Sequence, residues 1–313
     1  MVRKIGIIFG MEDTFPWALI DAINARSGEG VAAEPVAVSY LKDHTPFEYD
    51  LILDRISHVV PFYRTFLKAA IHQGIQVINN PFWSSSDDKY FGALVAASLG
   101  VAVPRTVLLP HKQHPPNTSA KSFRNLQFVD WDQVFQYLGF PIFLKPAYGI
   151  GWRDIYRCET RESFFAAYDQ TRDLCMMAQE TIQTTEYYRC YVLGRTRVHV
   201  MRYEPGRPQQ MRYVPDPPPM ETNLRSRVER DAVALCIGLG YDMNAVEFGV
   251  RDGIPYAIDF MDCAPDADLH SVGKVNFDWV VSNTADLLIE RALHPRPFVA
   301  TGTWPEFRRH RPG

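Results

Sequence analysis

Paired cysteines are missing from this sequence. Its five cysteines (Cys158, Cys175, Cys190, Cys236 and Cys263) are odd in number and none stands at C-x-x-C spacing, so they spell neither a disulfide framework nor a redox pair. Reduced thiols in a cytosol suit that pattern, and the expected location is cytoplasmic. The nine histidines are scattered, and a structural zinc site is not expected. Long apolar runs are also missing. Charges interrupt every stretch before the roughly eighteen apolar residues that a spanning helix needs, and Met1-Val2-Arg3-Lys4 is followed by only a short apolar run before Glu12 and Asp13, which does not read as a signal peptide. Charge of one sign is scarce: 33 Lys and Arg face 36 Asp and Glu, a net charge of -3. No strong field draws the chain to nucleic acid or to a membrane surface, and small-molecule partners are expected instead. The familiar nucleotide signatures are absent as well. Phe9-Gly10-Met11-Glu12-Asp13-Thr14 lacks the second and third glycines of a dinucleotide loop, and no G-x-x-x-x-G-K-[ST] occurs.

What is present is the material of a large globular protein. The 313 residues are 46% hydrophobic and 13% aromatic, enough for a sizeable core at a length where chains divide into two or three lobes. The first eighty residues alternate between strand and helix periods. Ile5 to Phe9, Val31 to Ser39, Leu51 to Leu53 and Ile75 to Ile78 read as strands. Pro16 to Ala25, with Thr14 as its cap, and Pro61 to Gln73 read as helices. This part is an α/β open sheet, in which ligands gather beyond the carboxyl ends of the strands; Asp54-Arg55 stands at such an end. The remainder reads as α+β. Tyr90 to Leu99 is a helix opened by Asp87-Asp88-Lys89, Val101 to Val107 a strand, and Pro141 to Pro146 a strand ending on Lys145. Hairpins turn at Gly194-Arg195 and at Arg251-Asp252-Gly253-Ile254. The last helix is expected over Phe277 to Leu293.

Two groups of residues carry chemistry. Lys145 ends an apolar strand and is followed by Tyr148-Gly149-Ile150-Gly151-Trp152. Its ammonium and the backbone N–H groups of a loop with Gly149 and Gly151 suit phosphate oxygens. A hundred residues later Glu247 and Asp259 fall on paired strands, with Asp262 just beyond. Like charges so placed repel unless a cation joins them, and Mg²⁺ is held by one or two carboxylates plus substrate phosphates.

In order and spacing these features resemble the ATP-grasp superfamily, which includes D-alanine:D-alanine ligase, glutathione synthetase and the glutamate ligases. The resemblance runs from about Asp87 to about Asp266, after an N-terminal Rossmann-like lobe of the kind that precedes that fold. It rests on Asp88-Lys89, on the Gly139 to Gly151 strand and loop, on Met177-Ala178-Gln179-Glu180-Thr181-Ile182, and on Tyr188 to Gly194. It implies boundaries at 1–85 for the N-terminal α/β domain, 86–175 for the central subdomain, 176–298 for the metal-bearing subdomain and 299–313 for a tail. It also implies ATP and Mg²⁺ as cofactors. Lys89 and Lys145 would face the phosphates; Gln179, Glu180 and Ile182 would form the adenine hinge; Glu186 would bind ribose; and Arg189 would lie on the arginine-bearing strand. The metal would take Glu247, Asp259 and Asp262, although the family's Glu-x-Asn has Met261 at its third place and Asp262 comes one residue late.

The activity implied is an Mg-dependent carboxylate-amine ligase that forms an amide through an acyl phosphate and releases ADP and phosphate. Lys145, Arg202 and Arg212 are its catalytic candidates, and Asp54, Arg55, Arg202 and Arg212 its substrate-binding ones. Its substrates would be a small carboxylic acid and an amine, and a homodimer is the default assembly. The alternatives are a nucleotide-binding module without ligase activity, or a kinase or carboxylase on the same fold.

Overall fold

The structure, a computed structural model, describes residues 2–26, 28, 30–43, 45–82, 88–148 and 153–296. Gly149 and Gly151, and the tail expected at 299–313, lie outside the described residues. The chain forms two compact units. The first comprises Met1–Ser86, Tyr187–Glu247 and Asp259–Gly313; the second comprises Asp87–Glu186 and Phe248–Ile258.

The first unit opens with β1 (Arg3–Ile8), α1 (Phe15–Asn24), β2 (Val31–Pro35), β3 (Leu51–Asp54), α2 (Pro61–His72) and β4 (Gln76–Ile78). The four strands make a parallel sheet in the order β2-β1-β3-β4. Leu51, Ile52 and Leu53 are all buried, which is why β3 reads as an unbroken apolar run rather than an alternation. β2 ends earlier than the sequence suggested, because Pro35 has no N–H to donate and Val36 makes the last bond to Ile7.

The second unit is built from α3 (Lys89–Ser98), β5 (Thr106–Leu108), α4 (Trp131–Leu138), β6 (Ile142–Pro146), β7 (Tyr156–Cys158), α5 (Arg161–Gln170) and β8 (Met176–Glu180). Its sheet is antiparallel, in the order β5-β8-β6-β7. The strand expected over Val101 to Val107 shrinks to Thr106–Leu108. Pro104 cannot join a ladder, and the Arg105 N–H is taken by the Glu180 carboxylate at 3.0 Å. The core here is aromatic: Trp131 lies within 6.0 Å, ring to ring, of Phe135, Phe164, Phe165 and Tyr168.

The chain then continues through β9 (Glu186–Leu193), β10 (Arg197–Arg202), α6 (Thr222–Leu239), β11 (Met243–Arg251), β12 (Ile254–Asp262), α7 (Leu269–Val272) and α8 (Lys274–Leu293). A third sheet has the order β10-β9-β11-β12. Asp252 and Gly253, with φ of 53° and 71°, join β11 to β12. Positive φ at both places is the backbone of the two-residue hairpin turn that matches strand twist, and Asp-Gly supplies it at low cost. The main core of the first unit combines Ile5, Ile7, Leu19 and Leu53 with Tyr191, Leu193, Met243, Val280 and Leu288, so residues far apart in sequence share one interior.

Candidate active site

At the carboxyl end of β3 the structure corrects the sequence reading of Asp54 and Arg55 as substrate ligands. Asp54 is buried and caps its own turn, accepting the Ile56 and Ser57 N–H groups at 3.0 and 2.8 Å and the Ser57 hydroxyl. Arg55 is 3% exposed. Its guanidinium donates to both Glu12 oxygens, at 2.9 and 2.5 Å, and to the Pro265 carbonyl at 2.6 Å. Burial opposes the charge of Arg55 and the Glu12 carboxylate more than compensates, so its pKa is raised. A fork engaged in this way holds the segments after β1, β3 and β12 together and is not open to a substrate carboxylate.

The acids of β11 and β12 meet an arginine. Arg189, on β9, donates from Nη1 to Glu247 Oε1 at 2.7 Å and from Nη2 to Asp262 Oδ2 at 2.8 Å. The second Glu247 oxygen accepts the Tyr187 hydroxyl at 2.7 Å. Burial pushes the Glu247 carboxyl above its usual range; Arg189 opposes that shift, and the Asp259 charge adds to it. Asp262 is raised for the same leading reason, with Arg189 opposing and Asp259 reinforcing. Burial, and then the Glu247 charge, hold the Tyr187 phenol well above its ordinary value. Asp259 is exposed on β12. Among the described residues no three His, Cys, Asp or Glu side chains gather as one metal-binding group, so Glu247, Asp259 and Asp262 do not converge as the three-ligand set the spacing suggested. One reason is Asn244. This fully buried side chain accepts the Asp262 N–H at 2.9 Å and donates to the Phe260 carbonyl at 2.8 Å. A side-chain amide thus stands in the ladder where Asp262 arrives one residue late.

Arg202 and Arg212 are half-buried. Arg202 lies over the Tyr188 ring at 5.2 Å and donates to its hydroxyl at 3.3 Å. Arg212 donates to the Arg207 carbonyl at 3.0 Å and to the Tyr203 hydroxyl at 3.5 Å.

In the second unit the two lysine-bearing segments are tied together. The Lys89 N–H donates to the Ala147 carbonyl, two residues past Lys145, at 2.9 Å. Asp88 caps α3 by accepting the Phe91 N–H at 2.9 Å and also accepts the Tyr148 hydroxyl at 3.2 Å. Lys145 is half-buried at the end of β6, beside the fully buried Leu144. Gln179, Glu180 and Ile182 are all buried at the end of β8. Gln179 donates to the Thr106 hydroxyl at 2.9 Å. Arg105 engages Glu180 from its backbone and its guanidinium, at 3.0 and 2.8 Å. The Glu180 carboxylate therefore fixes β8 to the entry of β5. Glu186 is half-buried at the start of β9.

Sequence reasoning passed over Tyr187, Asn244 and His58. The His58 Nδ1 is buried without a hydrogen-bond partner among the described residues. Burial lowers its pKa against the pull of Asp54 and Asp262. The signal available was its place just past β3, at the ligand-binding edge of an open sheet.

A parallel α/β sheet, an antiparallel sheet whose inner strand β6 carries Lys145 near its end, and a hairpin carrying Glu247 and Asp259 are the parts of an ATP-grasp fold. Solved structures bear this out. The D-alanine–D-alanine ligase of Bacillus anthracis complexed with ATP is 18% identical, with 93% of this chain and 97% of that chain covered at a TM-score of 0.66. The VanG D-Ala:D-Ser ligase of Enterococcus faecalis is 16% identical over 93% of this chain and 100% of that chain, at a TM-score of 0.65. The likeness is one of fold. No protein-family profile and no curated protein matches the sequence. No described helix is long and apolar enough to cross a membrane.

Proposed function

We propose that this protein is an ATP-dependent ligase that joins a small carboxylic acid to an amine. The observation that carries the reading is the likeness, over 93% of the chain, to a D-alanine–D-alanine ligase complexed with ATP. The tie between the segments bearing Lys89 and Lys145 supports it. A carboxylate cannot expel oxide, so the acid must first be activated. Its oxygen attacks the γ-phosphorus, the bond to the β-phosphate oxygen breaks, and ADP leaves. The amine nitrogen then attacks the acyl carbon, the carbon–oxygen bond breaks with phosphate as leaving group, and the nitrogen loses a proton. Lys89 and Lys145 neutralise phosphate charge during the transfer, and preorganised cations of this kind act on charge as it develops. Arg202 and Arg212 hold substrate carboxylate. The alternating carboxylates of β11 and β12 are hard oxygen donors, which suit Mg²⁺ with substrate phosphates completing its shell. Glu247 and Asp259 would hold that ion, which supplies charge neutralisation at the phosphates.

A second reading, nucleotide binding without turnover, is favoured by one observation: both Glu247 oxygens are already engaged, by Arg189 and Tyr187. A thermal-unfolding scan with ATP and Mg²⁺ comes first. A ligand at about a hundred times its dissociation constant adds roughly 2.7 kcal/mol to the native state, and the melting temperature is expected to rise. Lys145→Ala should reduce that rise. Phosphate release is then measured with panels of acids and amines. Release that requires both substrates identifies the ligase, whereas a thermal shift with no release on any pair identifies the binder. No shift at millimolar ATP would overturn both readings.

A further inference from the structure

We propose that the arginines around Asp242 form a binding site for a phosphate dianion, either inorganic phosphate or the phosphate group of a small molecule. Among the described residues, Arg195, Arg291 and Arg296 all approach one atom, Asp242 Oδ1, at 3.2, 3.5 and 3.4 Å. Glu290 lies between Arg197 and Arg291, at 3.3 and 3.6 Å. Four guanidinium groups thus share two carboxylates, and the cluster keeps two net positive charges. A phosphate group carries roughly two negative charges near neutral pH, and guanidinium forks match its oxygens.

Each of these contacts is longer than the about 2.7–2.9 Å of a charge-assisted hydrogen bond. Arg189, in the same unit, meets its two acids at 2.7 and 2.8 Å, so the looseness belongs to this cluster. Its cause is crowding, since three cations that repel one another cannot all close on one oxygen. Arg291, on the last turn of α8, is 3% exposed. Burial lowers its pKa; Asp242 opposes that shift, and Arg296 adds to it. A buried charge needs a close partner, and an anion beside Arg291 would supply what the two acids leave short. Around it Arg195 and Arg197 are half-buried and Arg296 is exposed, so the cluster is open to water. Its frame is held by other groups as well. Gln76 donates to the Arg291 carbonyl at 2.9 Å and accepts the Arg296 N–H at 3.1 Å. The Arg195 guanidinium also donates to the Gly240 and Tyr241 carbonyls, at 3.0 and 3.3 Å. A Cβ at Gly194 would stand 3.7 Å from Arg197 Nη1 and 3.9 Å from Arg291 Nη2, so the glycine keeps a side chain out of the space bordering both. All of these residues belong to the first unit, whereas Lys89 and Lys145 belong to the second; the inference does not draw on the ligase reading.

Isothermal titration of inorganic phosphate into the full chain, without nucleotide and in chloride of matched ionic strength, tests the site. Wild type and Lys145→Ala are expected to bind one phosphate here with equal affinity. Arg296→Gln and Arg197→Gln should bind it about tenfold more weakly, the effect of losing one hydrogen bond to a charged group. Glu290→Gln should bind it more tightly, because a competing negative charge is gone. Arg296 and Glu290 are exposed, so their replacement leaves the fold intact, and a cluster with a structural role alone would not shift phosphate affinity in opposite directions. Glycerol 3-phosphate is the second probe: tighter binding than inorganic phosphate assigns the site to a phosphate ester, and equal or weaker binding to the free ion. No uptake by the wild type would overturn the inference. So would uptake that Lys145→Ala abolishes, that the arginine variants leave unchanged, or that Glu290→Gln weakens.

Discussion

Asn79 holds four backbone groups with one side chain. Its Oδ1 accepts the Asp242 and Met243 N–H groups at 2.8 and 2.9 Å, and its Nδ2 donates to the Met243 and Cys263 carbonyls at 2.6 and 2.8 Å. The residue is 4% exposed, so truncation would leave buried partners that water cannot satisfy. Asn79→Ala is expected to cost about 3 kcal/mol, since each orphaned group costs of order 1–3 kcal/mol. Urea unfolding would show this as a lower midpoint at unchanged slope. In the sequence Asn79 is an asparagine after a short strand, which reads as a turn residue. Nothing local announces partners more than 160 positions away. The same limit applies to Arg55. Its position at a strand end was legible, but its engagement with Glu12 and Pro265 was not, because a fork for a substrate and a fork for the chain's own carboxylate look alike in sequence. Glu247 was legible because an acid inside the apolar run Ala245 to Val250 has to be explained by a partner. The identity of that partner, an arginine from β9, depends on strand order.

Helix α1 shows how an element can start in the expected place for a different reason. Thr14 occupies the N-cap position, but its side chain does not cap the helix. Asp268, from the segment before α7, accepts the Asp13, Thr14 and Phe15 N–H groups at 3.0, 3.0 and 2.9 Å, together with the Thr14 hydroxyl. Burial works against this carboxylate, and the three backbone donors outweigh it, so its pKa is lowered. A lowered folded pKa means that the stabilisation is fully present above the unfolded value, about 3.9 for Asp, and is lost as pH falls through the folded value. Asp268→Asn mimics the protonated acid permanently. It is expected to cost about 1 kcal/mol near neutral pH through the loss of charge-assisted bonds at a helix N-terminus. The difference from wild type should close as the pH is lowered below about 4. Melting curves from pH 7 down to pH 3 would check this; a constant gap would assign the cost to shape rather than charge. Other elements were readable throughout. The Asp252-Gly253 turn and the apolar run Leu51 to Leu53 of β3 carry their causes within a few residues, whereas β5 is only Thr106–Leu108 because of Pro104 and the Glu180 carboxylate, an acid 75 positions from Arg105.

Both units are assembled from separated stretches of chain, the first from three and the second from two. In the first unit, Ile5, Leu19 and Leu53 share their interior with Tyr191, Met243, Val280 and Leu288, so the N-terminal α/β sheet cannot bury its apolar surface alone. A fragment of residues 1–86 is expected to lack a cooperative thermal transition, because the helix that packs on α1, namely α8 (Lys274–Leu293), begins 250 residues after α1 ends at Asn24. Circular dichroism on heating the fragment would test this, and a sharp melt would show that the early sheet folds independently. The sequence order of strands and helices made the fold class readable. The sharing of one core by distant segments was not, since hydrophobic periodicity tells which face of an element is buried and not what buries it.

The β11–β12 hairpin starts and ends in the first unit, with its tip, Phe248–Ile258, in the second. Its inheritance is constrained accordingly. A recombination event that exchanges one continuous stretch of gene replaces neither unit whole, and any crossover between codons 189 and 262 separates Arg189 from Asp262, and before codon 247 from Glu247 as well. Lineages of this chain would then diverge mainly by point substitution at fixed architecture, and a change at Glu247 would be tolerated only with a matching change at position 189.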